Sequence, residues 1–238
     1  MEVKTDKKDT VKNIVLWIVT LVPTVITAAA MRFMPDKVPL HYDINGNIDR
    51  WGSKYENFLF PAIIVVFTIF WICLIRYYKK KQQRAESEKE AQEAAGNAAL
   101  LYYTAVGMAL MFGIMQCVIL FAAYGKSGQN AKAANIDTMA IINVLMGIFI
   151  IALGIMMPKS HKNATFGVRT VWSTDNDEAW KLSNQAGAII MVIAGILTVA
   201  EALLFGGMLS TAIMLAIIIV AGILSVVCSY VAYKKTRG

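Results

Sequence analysis

Charged residues are scarce in this sequence, because Asp, Glu, Lys and Arg make up only 16% of its 238 residues. Typical soluble domains contain about 25% charged residues. The chain is instead 57% apolar, with a mean hydropathy of +0.55. This shortage of charge excludes an ordinary soluble domain and indicates a protein that folds in a lipid bilayer.

Cysteine and histidine are also rare. The three cysteines, Cys73, Cys117 and Cys228, all fall inside apolar runs, where a thiol behaves as a small apolar group. No disulfide framework or metal-thiolate spacing is present. The two histidines, His41 and His161, lie on opposite sides of the membrane in the topology predicted below. We therefore expect no metal site and no cofactor.

Six apolar runs are each long enough to cross a membrane as a helix. About 20 apolar residues span the hydrocarbon core of roughly 30 Å, and these runs are apolar on every side rather than along one stripe. They occupy residues 14–33, 58–78, 99–124, 139–157, 186–205 and 209–231. We predict an all-α fold, an integral membrane six-helix bundle.

Lys and Arg are distributed unevenly between the two sides of this bundle. With the N-terminus in the cytoplasm, 17 of the 23 basic residues fall in segments on the cytoplasmic side. Basic residues accumulate on that side of membrane proteins, so both termini are predicted to be cytoplasmic. The net charge of +7 is then expected to orient the chain against anionic membrane lipid rather than to bind nucleic acid directly.

The connecting segments divide the chain into two predicted regions. Residues 1–98 form an N-terminal membrane region with two helices, an outer loop at 34–57 and an inner segment at 79–97. Residues 99–238 form a C-terminal membrane region with four helices and an inner segment at 158–185. The 79–97 segment is rich in helix formers of both charges and should extend the second helix. It is either a solvated helix or an electrostatic docking surface.

The outer loop is dense in turn-forming residues. The pairs Asn45-Gly46 and Gly52-Ser53 strongly favour turns, so we expect a compact, ordered loop. Its polar and aromatic residues are candidates for ligand recognition on the outside. These candidates are His41, Asp43, Asp49, Arg50, Trp51 and Lys54.

The inner segment at 158–185 predicts a helix that leads into the fifth span. Ser173, Thr174 or Asp175 can cap a helix whose first turn holds two acids, which suits the positive end of the helix dipole. Trp172 and Trp180 are typical of the lipid headgroup region. The segment is either an interfacial connection or a recognition surface that includes Asn163 and Arg169.

These two segments together resemble the bacterial SdpI family of six-span immunity proteins. The outer loop resembles the small membrane domain of unknown function that opens many members, through Pro39, His41, Gly46, Asp49, Lys54 and Pro61. The inner segment resembles the C-terminal signature of the family, through Asn163, Gly167, Arg169, Thr170, Trp172, Thr174, Asp177, Glu178 and Trp180. Two departures are Val171, where many members have proline, and Ser183-Asn184, which replaces a pairing that includes histidine.

The resemblance implies a multi-pass protein of the bacterial cytoplasmic membrane that gives resistance to a secreted peptide toxin. In some members, toxin binding also leads to the capture of a cytoplasmic repressor. An extracellular peptide toxin and a cytoplasmic repressor are therefore the implied partners. The implied recognition residues on the inner side are Asn163, Gly167, Arg169, Thr170, Trp172 and Trp180.

Three polar residues interrupt the apolar runs in their predicted outer halves: Gln116, Asn143 and Glu201. An unpaired carboxylate at that depth is costly. One hypothesis is an outward-facing polar pocket roofed by the outer loop, with Glu201 at its wall and Arg32 as its partner. The other is hydrogen bonding between helices for the two amides and an extended Glu201 side chain that reaches the interface.

Two further functional classes compete with an immunity or signal-receiving protein. A small ion-coupled transporter or permease would use Glu201 as its titratable group, although the sequence has no convincing inverted repeat and few central charges. An enzyme is not expected, because no nucleophile with an adjacent base and no metal cluster can be recognised.

Overall fold

The computed structural model describes residues 7–42, 48–126 and 137–237. Six long helices make up most of these residues. Each helix is long and apolar enough to cross a membrane. This confirms the predicted six-helix bundle, so the chain is a multi-pass membrane protein. The helices are α1 (Lys7–Ala30), α2 (Leu59–Gln83), α3 (Glu88–Lys126), α4 (Thr138–Met156), α5 (Asp177–Leu204) and α6 (Gly207–Arg237).

Apolar side chains cover the outside of the bundle. Val66 on α2, Leu203 on α5 and Val231 on α6 are 65%, 74% and 60% exposed. Hydroxyl groups such as those of Thr20 and Ser210 are fully buried between helices. This inside-out distribution matches a lipid surround, which offers no hydrogen-bond partner to an outward-facing hydroxyl.

The helices pack as two connected groups. α1 and α2 pack on α3, and the hydroxyls of Thr20 and Thr68 share a hydrogen bond of 2.8 Å between α1 and α2. α4, α5 and α6 pack together, and α3 also contacts α4. The predicted boundary between the regions 1–98 and 99–238 falls inside α3, so this division stays a prediction.

Glycines let α4 and α5 approach closely. A Cβ atom added to Gly147 would lie 2.8 Å from the backbone oxygen of Gly195, and one added to Gly195 would lie 2.6 Å from that of Gly147. Small residues at such crossings allow dispersion contacts between helix backbones, which are a main source of stability within lipid.

The outer loop is a β-hairpin, which the sequence reading described only as a compact loop. Strand β1 (Lys37–Tyr42) pairs antiparallel with β2 (Ile48–Ser53), and a short 3₁₀ helix (Lys54–Phe58) leads into α2. Val38 is fully buried and packs with Leu120 and Ala123 near the end of α3. This contact fixes the hairpin to the helical bundle.

The inner segment at 79–97 extends α2 only as far as Gln83, whereas the prediction has the whole segment extend that helix. α2 ends at Gln83, and α3 begins at Glu88 and continues past Gly96 and Asn97. The reason is capping: the Ser87 hydroxyl accepts a hydrogen bond from the Glu90 backbone N–H at 3.3 Å and so starts a new helix. At Gly96, inside α3, the ring of His161 lies close: a Cβ atom added there would be 3.2 Å from His161 Cδ2.

Contacts assign the connecting segments to two ends of the bundle. Among the described residues, four ion pairs lie at one end: Lys79 with Asp9, Lys89 with both Glu93 and Asp177, and Arg237 with Asp175. Residues 157–176, which connect α4 to α5, lie at the same end. We call this segment the elbow, and this end of the bundle the elbow end. The hairpin lies at the opposite, hairpin end. The assignment of the elbow end to the cytoplasm remains a prediction from the basic residues.

Candidate functional site

Two pairs of polar side chains lie on the exposed face of the hairpin. His41 Nδ1 lies 2.6 Å from Asp49 Oδ1, and Arg50 lies 2.7 Å from the Glu56 carboxylate. All four side chains are at least 43% exposed, so these pairs contribute little to stability. Their charged atoms remain accessible to a ligand.

The other candidate residues of the outer loop differ in their surroundings. Trp51 is 49% exposed, so its indole is accessible at the hairpin end. Lys54 is only 16% exposed, because its Nζ donates to the Met34 carbonyl and pairs with Asp36 at 3.1 Å. Lys54 therefore anchors the hairpin to the end of α1. Asp43 lies outside the described residues.

Gln116 joins three elements beneath the hairpin. It is fully buried, and its Nε2 donates to Thr27 Oγ1 on α1 and to the Asn57 backbone oxygen, each at 3.0 Å. These contacts join α3 to α1 and to the 3₁₀ helix that precedes α2, as expected for an amide that bonds between helices.

Asn143 and Glu201 lie in the other helix group. Asn143 Nδ2 donates to Ser210 Oγ at 2.8 Å and to Thr211 Oγ1 at 3.3 Å, which joins α4 to α6. Glu201 is 5% exposed, and neither carboxylate oxygen has a hydrogen-bond partner in the described part of the chain. Across the same residues, Arg32 forms no ion pair with it.

The single outward-facing pocket of the first hypothesis is therefore not formed. A cleft of about 220 Å³ does lie under the hairpin, between the Arg50 and Glu56 side chains and Gln116. Neither Asn143 nor Glu201 lines it. The three polar residues are separated because the helices pack as two groups. Gln116 lies in the group of α1, α2 and α3, whereas Asn143 and Glu201 lie in the group of α4, α5 and α6.

Asn163 folds the start of the elbow. Its Oδ1 accepts from the backbone N–H groups of Thr165 and Phe166, each at 2.7 Å, and its Nδ2 donates to the His161 carbonyl at 2.7 Å. An asparagine that bonds its own neighbouring backbone closes a tight turn. The side chain is thereby occupied by the chain itself.

Gly167 and Asn184 meet at the centre of the elbow. The backbone of Gly167 has φ of +104°, and a Cβ atom there would lie 2.2 Å from Asn184 Oδ1. That same oxygen accepts from the Val168 N–H at 2.9 Å, while Asn184 Nδ2 donates to the Trp180 carbonyl at 3.0 Å. Sequence reasoning noted Asn184 only as a departure, although its position one turn after Trp180 was a usable signal.

The two tryptophans of the signature have different environments. Trp180 is 3% exposed, and its Nε1 donates to the Ser160 carbonyl at 2.9 Å. The prediction of a headgroup position is therefore wrong for Trp180, because the elbow folds over it. Trp172 is half-buried and packs edge-to-face on Tyr230 of α6, with ring centroids 5.0 Å apart.

The end of the elbow is tied to α6. The hydroxyls of Thr170 and Ser229 share a hydrogen bond of 2.8 Å, and Ser173 Oγ donates to the Val168 carbonyl at 2.8 Å. The residue that caps α5 is Asn176, whose Oδ1 accepts from the Ala179 N–H. The predicted caps Ser173, Thr174 and Asp175 are thus one to three residues too early.

Arg169 is the exposed cation of the signature. Its guanidinium donates to the Ala164 carbonyl, and it forms no ion pair within the described ranges. Nearby, the Arg237 guanidinium hydrogen-bonds Asp175 and lowers the pKa of that carboxyl. Arg169 therefore keeps its charge available at the surface, whereas Asp175 and Arg237 pair with each other.

Comparison with known proteins agrees with the resemblance found in the sequence. Residues 18–65 match a domain of unknown function (DUF1648), and residues 159–231 match the SdpI/YfhL protein family. The chain is 25% identical over 227 residues to Immunity protein SdpI of Bacillus subtilis (strain 168), which covers 95% of this chain and 98% of that protein. No solved structure matches. The resemblance to the SdpI family is confirmed.

Proposed function

We propose that this chain, which carries an SdpI/YfhL family region at residues 159–231, is a membrane immunity protein that gives resistance to a secreted peptide toxin. The observation that carries the proposal is the extent of similarity to Immunity protein SdpI, 95% of one chain and 98% of the other. Similarity of that extent includes both the hairpin and the elbow, rather than one shared domain. It also favours a non-catalytic role.

The toxin would bind at the hairpin end. The exposed indole of Trp51 is suited to anchor a peptide, since tryptophan is enriched among the residues that dominate binding energy. Asp49 and Arg50 directly precede Trp51 on β2, and their exposed side chains, with that of His41 on β1, would select a complementary peptide.

The elbow would report toxin binding to a cytoplasmic regulator. It contacts α2 through Tyr78, whose OH accepts from the Ala164 N–H at 3.2 Å, and it contacts α6 through Thr170 and Ser229. A shift between these helices would therefore move the exposed Arg169. Such coupling requires that the toxin bind one helix arrangement better than another.

The test is survival of a toxin-sensitive bacterial strain that expresses the full chain. We expect resistance with the wild-type chain and a loss of it with Trp51→Ala, at equal membrane expression. Phe33→Ala is the control, because Phe33 is an exposed aromatic residue at the end of α1 and outside the hairpin. Sensitivity of cells that carry well-expressed wild-type protein would refute the proposed function.

A small ion-coupled transporter is the second candidate, and the burial of Glu201 favours it. Both carboxylate oxygens lack a hydrogen-bond partner within the described chain, and ionisable residues inside a membrane commonly mark ion pathways. Proteoliposomes should then show ion flux that Glu201→Gln abolishes. Absence of flux with wild-type protein would remove this candidate.

A further inference from the structure

A groove of about 850 Å³ opens at the elbow end of the bundle. Residues 77–86 at the end of α2 form one wall, and the first turns of α3 form its floor, where Ala94 and Asn97 are buried. Lys162 and Asp177, from the elbow and the start of α5, form the other wall. The groove therefore lies between the two helix groups.

The α2 wall of this groove is positively charged, because Lys80, Lys81 and Arg84 line it and form no ion pair among the residues that the structure describes. Lys162 on the opposite wall forms none there either. Four acids also line the groove, Glu86, Glu90, Glu93 and Asp177. Asp177 and Glu93 both contact Lys89, at 3.2 and 3.8 Å, and the Glu90 carboxylate accepts from the Glu86 N–H at 3.2 Å.

An exposed apolar face of α2 leads directly to these cations. Phe70 and Tyr77 are 52% and 58% exposed, and Cys73 between them is exposed as well. Lys80 and Lys81 follow Tyr77 at three and four residues and thus continue the same helix face. A ligand that uses both features has an anionic head in the groove and an apolar tail along the helix.

We propose that this groove binds the phosphate headgroup of an anionic phospholipid, with the acyl chains lying along α2. Clustered Lys and Arg side chains between helices at the membrane surface attract anionic lipid headgroups. An acidic segment of a soluble protein would match the cations but would leave the adjoining apolar face unused. The site is independent of toxin recognition and requires no residue of the hairpin.

The test uses the full-length protein in detergent micelles and native mass spectrometry. Phosphatidylglycerol and phosphatidylcholine with identical acyl chains are added separately. We expect tighter binding of phosphatidylglycerol, and a loss of about tenfold in its affinity for the double variant Lys80→Gln/Lys81→Gln. The control is Lys234→Gln/Lys235→Gln, which removes two consecutive lysines from the end of α6 at the same end of the bundle.

Further measurements separate the groove from other sources of binding. Lys162→Gln lies on the opposite wall and should weaken phosphatidylglycerol binding without altering α2. Equal losses in the groove and control variants would overturn the site in favour of general surface charge. So would glycerol phosphate that binds as tightly as the lipid, because the acyl chains would then contribute nothing. Displacement of the lipid by a soluble oligoglutamate peptide of equal affinity would assign the groove to a protein partner instead.

Discussion

Gly167 is a position in the elbow where a side chain is disfavoured for two reasons. Its positive φ disfavours side chains, and its missing Cβ leaves room for the Asn184 amide, which also holds the Val168 N–H. Two independent requirements, one conformational and one steric, therefore fall on one position.

Gly167→Ala should destabilise the folded protein by about 1–3 kcal/mol, because the added methyl group meets Asn184 and the backbone is strained. The measurement is thermal unfolding of the purified protein in detergent. Gly222→Ala is the matched control, since a Cβ at Gly222 on α6 meets no atom within 4 Å. Equal unfolding temperatures for the two variants would contradict the proposed role of Gly167.

The identity of such residues was visible in the sequence, but their roles were not. Asn163, Gly167 and Trp180 were grouped as recognition residues, whereas Asn163 folds a turn and Trp180 is buried. A hydrogen-bonding side chain looks the same in a sequence whether its partner is the chain itself or a ligand. The hydrogen-bond distances in the structure show which of the two roles each side chain has.

At the scale of elements, the elbow contains one short 3₁₀ helix, Met157–Lys159, and is otherwise held by the packing of Met157 and Val168 on α5 and by single polar contacts. The indole N–H of Trp180 satisfies the Ser160 carbonyl inside the protein. A buried carbonyl that loses its donor incurs the full cost of desolvation.

Trp180→Phe should therefore cost about 1–3 kcal/mol in stability, since it removes the donor and keeps most of the ring. Trp172→Phe is the comparison, because the Trp172 ring packs on Tyr230 and its indole N–H has no partner in the described part of the chain. Thermal unfolding and limited proteolysis of the elbow should both detect a larger effect for Trp180→Phe. A larger effect for Trp172→Phe would mean that ring packing, not the hydrogen bond, holds the elbow.

The existence of the six helices could be predicted from the sequence, but their ends could not. An apolar run of about 20 residues has few alternatives to a membrane helix. The ends extend beyond those runs, as at Glu88 and Asp177, and are set by the caps Ser87 and Asn176. The hairpin was missed although Asn45-Gly46 is a local signal for one. The packing of Val38 against α3, which fixes the hairpin to the bundle, has no such local signal.

At the scale of the whole molecule, the hairpin and the elbow lie at opposite ends of one bundle. A signal between them must pass through helix packing, since residues of α3 contact the hairpin at one end and the elbow at the other. A substitution at one end can therefore alter function while the protein remains folded.

Arg169→Ala should leave membrane insertion and thermal stability unchanged but weaken toxin resistance or signalling. The reason is that the Arg169 side chain is exposed and forms no ion pair with an acid in the described ranges. Resistance assays and membrane fractionation check the two parts separately. Lys181→Ala is the control, as Lys181 is also an exposed cation near the start of α5. Wild-type resistance and signalling by the Arg169 variant would remove the elbow from the mechanism.

The attachment of the elbow to α6 has a consequence for biosynthesis. Its contacts to α6 come from Ser229, Tyr230 and Arg237, in the C-terminal part of that helix. A growing polypeptide therefore completes this junction only when α6 has entered the bilayer. Until that moment the polar backbone of residues 157–176 lacks part of its enclosure, so a prematurely terminated product should be the form that proteases of the membrane recognise first.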